Sequence, residues 1–167
     1  MLVVLSGCDV LPRPGDTDGL QSDARWVHHA RLTAVRDTDV TLVRLRLDTG
    51  VAGGQDVLLT RFDFNPAPDY GDEYAIMLGI AIDSAAVRSK ATLRLGPRPP
   101  AFPAVGTVAC LCRPLKPDSV VGTYTIAQRG MVQLTGRIDA TLYFTAWDDS
   151  TKHATYRLRQ VMYGVKS

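Results

Sequence analysis

VQLTGRIDATLYF, residues 132–144, alternates apolar and polar side chains along its length. Val132, Leu134, Ile138, Ala140, Leu142 and Phe144 fall on one side, and Gln133, Thr135, Arg137, Asp139, Thr141 and Tyr143 on the other. Successive side chains leave a pleated backbone in opposite directions, so a period of two is that of a strand with one buried face. A helix would repeat its apolar residues every three or four positions. Gly136 interrupts the apolar side and reads as a bulge or bend.

The same period extends in both directions from this stretch. Toward the C-terminus, the turn Asp148-Asp149-Ser150-Thr151 leads to a partner strand from His153 to Val165. Toward the N-terminus, Val120 to Ala127 precedes an Arg129-Gly130 turn, and Thr107 to Arg113 forms a strand carrying Cys110 and Cys112. Ala91 to Leu95 is a short strand, followed by a proline-rich loop over Gly96 to Val105. Tyr74 to Ile82 is apolar on both faces, which predicts a central strand, and Val57 to Phe64 follows a Gly53-Gly54 loop. Trp26, His28, Ala30, Leu32 and Ala34 share one face of a first strand. That strand pairs as a hairpin with Val40 to Asp48 around Asp37-Thr38-Asp39. Helical periodicity is confined to a possible short turn at Ser84 to Ser89. About nine strands with frequent Pro and Gly punctuation predict an all-β fold, an antiparallel β-sandwich or a flattened barrel. From Gly122 onward (GTYTIAQRGMVQLTGRIDATLYFTA) the chain loosely resembles the closing strands of small β-sandwich lipoproteins of unknown function, a resemblance that implies fold alone.

A chain of 167 residues suits one domain with a real core. Apolar residues make up 46% and charged residues 22%, which excludes a disordered chain. The net charge is +2 and the basic residues look scattered along the sequence, so neither nucleic acid nor an anionic bilayer is an expected partner through charge. No apolar run approaches the roughly 20 residues of a membrane-spanning helix.

Leu5-Ser6-Gly7-Cys8 resembles the lipobox of bacterial lipoproteins: an aliphatic residue, a small residue, Gly or Ala, then Cys. The resemblance implies a diacylglycerol on the Cys8 sulfur and cleavage just before that residue. Several acyl chains at about 0.8 kcal/mol per buried CH₂ make such an anchor essentially permanent. Seven residues precede Cys8 and none is Lys or Arg, so a full leader would need an upstream start codon or has been trimmed. Residues 9–24, rich in Pro, Gly and Asp, read as a flexible tether of about 20–25 Å mean span, with residues 25–167 as the domain. Asp9 after the Cys points, by family resemblance to enteric lipoproteins, to inner-membrane retention. The expected location is the cell envelope, facing the periplasm or the surface.

No nucleophile elbow, zinc-protease helix or nucleotide-binding glycine loop is present. Cys110 and Cys112 share a strand face about 6.5–7 Å apart, open to three readings: small core thiols, a strained disulfide, or two ligands of a metal site lacking the rest of its shell. The core reading is preferred, with no metal and no cofactor. His28, on the face of Trp26 and Leu32, reads as a hydrogen-bonded core histidine, and His29 as exposed. Glu73 is the single Glu, so paired catalytic carboxylates across a cleft are not expected. The loop holding Asp69, Tyr70, Asp72, Glu73 and Tyr74 mixes rings with acids, as a sugar-binding surface requires, and Trp147, Asp148 and Asp149 repeat that chemistry at a hairpin tip. The more ordinary reading is a solvated loop with its rings packed on a sheet edge. The expectation is a non-enzymatic binding or assembly module for a protein or glycan, met through loops or a sheet edge. The alternative is a carrier with a small or hydrophobic ligand inside a barrel.

Overall fold

The computed structural model describes residues 21–36, 43–64, 74–82, 85, 88, 92–110, 115–129 and 133–166. Nine strands follow in chain order: β1 (Gln21–Arg36), β2 (Val43–Thr49), β3 (Gln55–Phe64), β4 (Tyr74–Ile82), β5 (Thr92–Leu95), β6 (Ala104–Cys110), β7 (Leu115–Arg129), β8 (Gln133–Ala146) and β9 (His153–Lys166). They hydrogen-bond in the order β5-β7-β8-β9-β1-β3-β4-β6, with β2 also on β1. Every pairing is antiparallel except a parallel contact of β1 with β9, Ala24–Trp26 against Gly164–Lys166. That short joint divides the strands into two antiparallel leaves, β5-β7-β8-β9 and β1-β3-β4-β6, one of them curled into a half-barrel. The all-β sandwich expected from the alternation is the fold.

The main core fills the space between the leaves. Ile138, Ala140, Leu142 and Phe144 of β8 point into it, while Arg137 and Tyr143 are exposed on the opposite side, as their alternation requires. Opposite them lie Phe62 of β3 and Ile76, Leu78, Ile80 and Ile82 of β4. Phe144 meets Tyr156 edge-on, ring centroids 5.5 Å apart. Gly136 is explained by Tyr124 of β7: a Cβ there would sit 2.4 Å from the ring Cζ, so the ring occupies the space a side chain would need. The irregularity falls on the partner strand, between Ile126 and Gln128 opposite Gly136.

A smaller cluster lies on the other face of β3 and β4, where Val57 and Leu59 pack with Ala30, Leu32, Leu45, Leu47 and Met77. The C-terminal half of β1 pairs with β2, and this hairpin covers the face of β3 and β4 turned away from the main core. β4 is therefore apolar on both faces, as its sequence predicts.

The single face expected for Trp26, His28, Ala30, Leu32 and Ala34 is corrected. The register of β1 against β3 shifts between Val27 and Ala30, and His29 has φ +49°. One extra residue in a strand inverts its side-chain parity. Ala24 and Trp26 therefore enter the main core, whereas Val27, Ala30 and Leu32 join the smaller cluster. The β2–β3 loop closes on this bulge. Val51 donates its N–H to the His29 carbonyl at 3.0 Å, and a Cβ at Gly54 would lie 2.6 Å from the His29 carbonyl carbon. β1 also starts at Gln21 rather than Arg25, because residues from Gln21 onward already pair with β3.

Candidate functional site

The strand ends that bracket the two ring-and-acid segments lie at one end of the molecule. Phe64 pairs with Tyr74 across the β3–β4 connection, and Tyr74 pairs with Cys110, the last residue of β6. Five residues later Leu115 opens β7 opposite Ala146, the last residue of β8 before the Trp147 turn. Five residue steps span at most about 18 Å, so the ends of the two leaves stay close here. Asp69, Tyr70, Asp72 and Glu73 lie outside the described residues, as do Cys8 and Cys112; Tyr74 and Cys110 are described through their backbone pairing.

At this end the β8–β9 turn is held by its own side chains. Asp149 Oδ1 accepts from the Thr151 hydroxyl at 2.6 Å and from the Thr151 N–H at 3.1 Å, and Lys152 Nζ lies 3.6 Å from Oδ2. The Thr151 hydroxyl, then its N–H, hold the Asp149 carboxyl below the usual carboxylate range. This carboxylate is already used by the turn, in the manner of an Asx motif. Trp147 and Asp148 are exposed beside it. Next to the turn, three strands contribute one cluster: the Thr145 hydroxyl donates to Asp118 Oδ2 at 2.6 Å and lies 3.2 Å from His153 Nδ1.

His28 is half-buried, and its Nδ1 lies 2.9 Å from Oδ1 of the buried Asp56. Its ring sits 6.0 Å from that of Trp26. A buried carboxylate that fixes an imidazole ring's orientation is half of an acid–base arrangement. His29 is exposed, as expected. Among the described residues no group of three or more His, Cys, Asp or Glu side chains converges on a point where a metal would bind.

A half-open cleft of about 230 Å³ lies beside the β1 bulge, lined by Ala30, Arg31, Leu32, Gly53, Gly54, Gln55, Ala81, Pro103 and Val105. It is smaller than the roughly 300–1,000 Å³ of small-molecule pockets and lies outside the main core.

The outer face of the β5-β7-β8-β9 leaf carries what the linear sequence hid. Cross-strand register sets Arg94, Thr123, Asp139 and Arg159 in one row. Neighbouring rows hold Thr125, Arg137 and Val161, then Val121, Thr141 and Arg157, then Ser119, Tyr143 and Thr155. Arg157 Nη2 and Arg159 Nε approach the two Asp139 oxygens at 3.3 and 3.2 Å. Desolvation, the largest single influence, pushes the Asp139 carboxyl up, but the hydrogen bonds and charges of Arg157 and Arg159 together outweigh it and hold the group below the usual range. Arg94, Arg137, Arg157 and Arg159, distant in sequence, are thus brought onto one sheet face. Alternation was the signal that could have found them: 137, 157 and 159 are outward positions of strands already recognised as neighbours.

Compared with known proteins, the chain matches no family model, no curated protein and no solved structure.

Proposed function

We propose that this chain is an envelope lipoprotein, anchored by lipid on Cys8, whose β-domain is a non-enzymatic module that binds or assembles with a protein or glycan partner. The observation that carries the module reading is where space and charge are found. Large side chains such as Phe62, Tyr124 and Phe144 fill the space between the leaves, whereas the outer face of one leaf is broad, polar and basic. A carrier encloses its ligand in an interior cavity, while a binding module presents a rigid surface. The cleft beside the β1 bulge is a surface feature at the edge of the smaller cluster, which supports presentation over carriage. The anchor reading rests on the Leu5-Ser6-Gly7-Cys8 motif.

The test is a photo-crosslinking amino acid at position 143, on the exposed face, in the cells that make the protein. One or two discrete adducts are expected there, and none from the same probe at exposed Arg61 on the other leaf. A smear identical at both positions, or no adduct at 143, contradicts the module reading.

A further inference from the structure

The outward side chains described on β5, β7, β8 and β9 include five cations, Arg94, Lys116, Arg137, Arg157 and Arg159, against two acids, Asp118 and Asp139. Five minus two leaves +3 among the described side chains of this face, a local excess of positive charge. Arg94 and Arg137 have no acid partner among the described residues, and Arg157 and Arg159 each spend one contact on Asp139 out of the five donors of a guanidinium. The cations lie on a rigid grid, about 4.8 Å between strands and about 6.8 Å between alternate residues. Such a grid pairs with anionic groups repeated along an extended molecule, through the forked hydrogen bonds that guanidinium makes to carboxylate or phosphate.

The remaining surface favours a sugar chain over a protein or a bilayer. Between the cations stand the hydroxyls of Ser119, Thr123, Thr125, Thr141 and Thr155. Among the described side chains of this face, the exposed apolar ones, Val121, Tyr143 and Val161, occupy three different register rows and share none. Protein interfaces centre on apolar cores depleted of charge, and bilayer-lying faces need a continuous apolar stripe. A sheet face of hydroxyls and guanidinium groups with the exposed phenol ring of Tyr143 fits acidic sugars, which offer carboxylates, hydroxyls and an apolar ring face. We infer that the outer face of the β5-β7-β8-β9 leaf binds an acidic polysaccharide. The inference rests on the binding-module reading and names the partner's chemistry.

The experiment titrates the full chain with polygalacturonate oligosaccharides, with neutral dextran oligosaccharides, with a poly-glutamate peptide of matched charge, and with vesicles of phosphatidylglycerol and phosphatidylcholine. Expected are binding of polygalacturonate that weakens as salt rises, no dextran binding, and at least tenfold weaker binding of poly-glutamate. The Arg137→Gln and Arg157→Gln substitutions together weaken polygalacturonate binding about tenfold, Tyr143→Ala weakens it severalfold, and Arg61→Gln on the other leaf leaves it unchanged. Circular dichroism of each variant separates lost binding from lost fold; a misfolded variant is replaced by Arg94→Gln with Arg137→Gln. Equal binding of the two polyanions reduces the face to non-specific charge and overturns the inference. Binding to anionic vesicles alone, or no binding at all, also overturns it. If residue 143 still yields discrete adducts in cells, the module reading survives and the glycan assignment alone has failed.

Discussion

Tyr124 keeps its hydroxyl fully buried with no hydrogen-bond partner among the described residues, and burial pushes its ionisation far above the usual phenol range. An unsatisfied buried hydroxyl costs about 1–3 kcal/mol relative to a bonded one. Tyr124→Phe removes that group while keeping the ring over Gly136, so it is expected to hold or raise stability by up to about 1 kcal/mol in urea unfolding. Gly136→Ala should do the reverse. Its methyl would meet the Tyr124 ring at 2.4 Å, and overpacking of this kind costs about 1–3 kcal/mol. If Tyr124→Phe destabilised the chain by more than about 1 kcal/mol, the hydroxyl would have a partner that this account omits. The apolar set of β8 was legible because burial of one face imposes the period of two. The reason for Gly136 was not, because it depends on the ring of Tyr124, two residues before the β7 partner of Gly136, a pairing that no local motif encodes.

At the scale of elements, β1 shows where alternation fails. Its parity inverts at His29, where the β2–β3 loop packs on the backbone through Gly54, a contact between residues 25 positions apart. The Gly53-Gly54 pair announced a loop but not what the loop approaches. A non-glycine residue at φ +49° is disfavoured, so His29→Gly is expected to stabilise by about 1 kcal/mol, read as a higher urea midpoint with unchanged slope. A loss of stability instead would mean the exposed imidazole makes a contact worth more than the strain. The Arg157–Asp139–Arg159 link between β8 and β9 is exposed and screened, so it contributes less than about 1 kcal/mol. Asp139 has a lowered carboxyl pKa, which places its contribution above the ordinary value of 3.8 and removes it as pH falls through the lowered folded value. The stability gap between the chain and Asp139→Asn should therefore be constant from neutral pH down to about pH 5 and close below it. A gap that persists unchanged at pH 2 would contradict the ion-pair origin.

For the molecule as a whole, topology does what composition conceals. A net charge of +2 suggested no basic surface, yet pairing β8 with β9 and β7 with β5 brings cations distant in sequence onto one face whose described side chains carry +3. The strand count and sandwich class followed from periodicity and turn residues. The shared end of the Trp147 turn and the Tyr74 strand start needed the register Tyr74–Cys110 and Leu115–Ala146, which no local pattern encodes. The central claim is a binding domain held at an envelope membrane by lipid on Cys8, and intact mass of the protein recovered from the membrane fraction of its own cells tests it most directly. The account predicts a chain that begins at Cys8 and carries the mass of its acyl groups. An unprocessed chain in the soluble fraction, with Cys8 a free thiol, would contradict it.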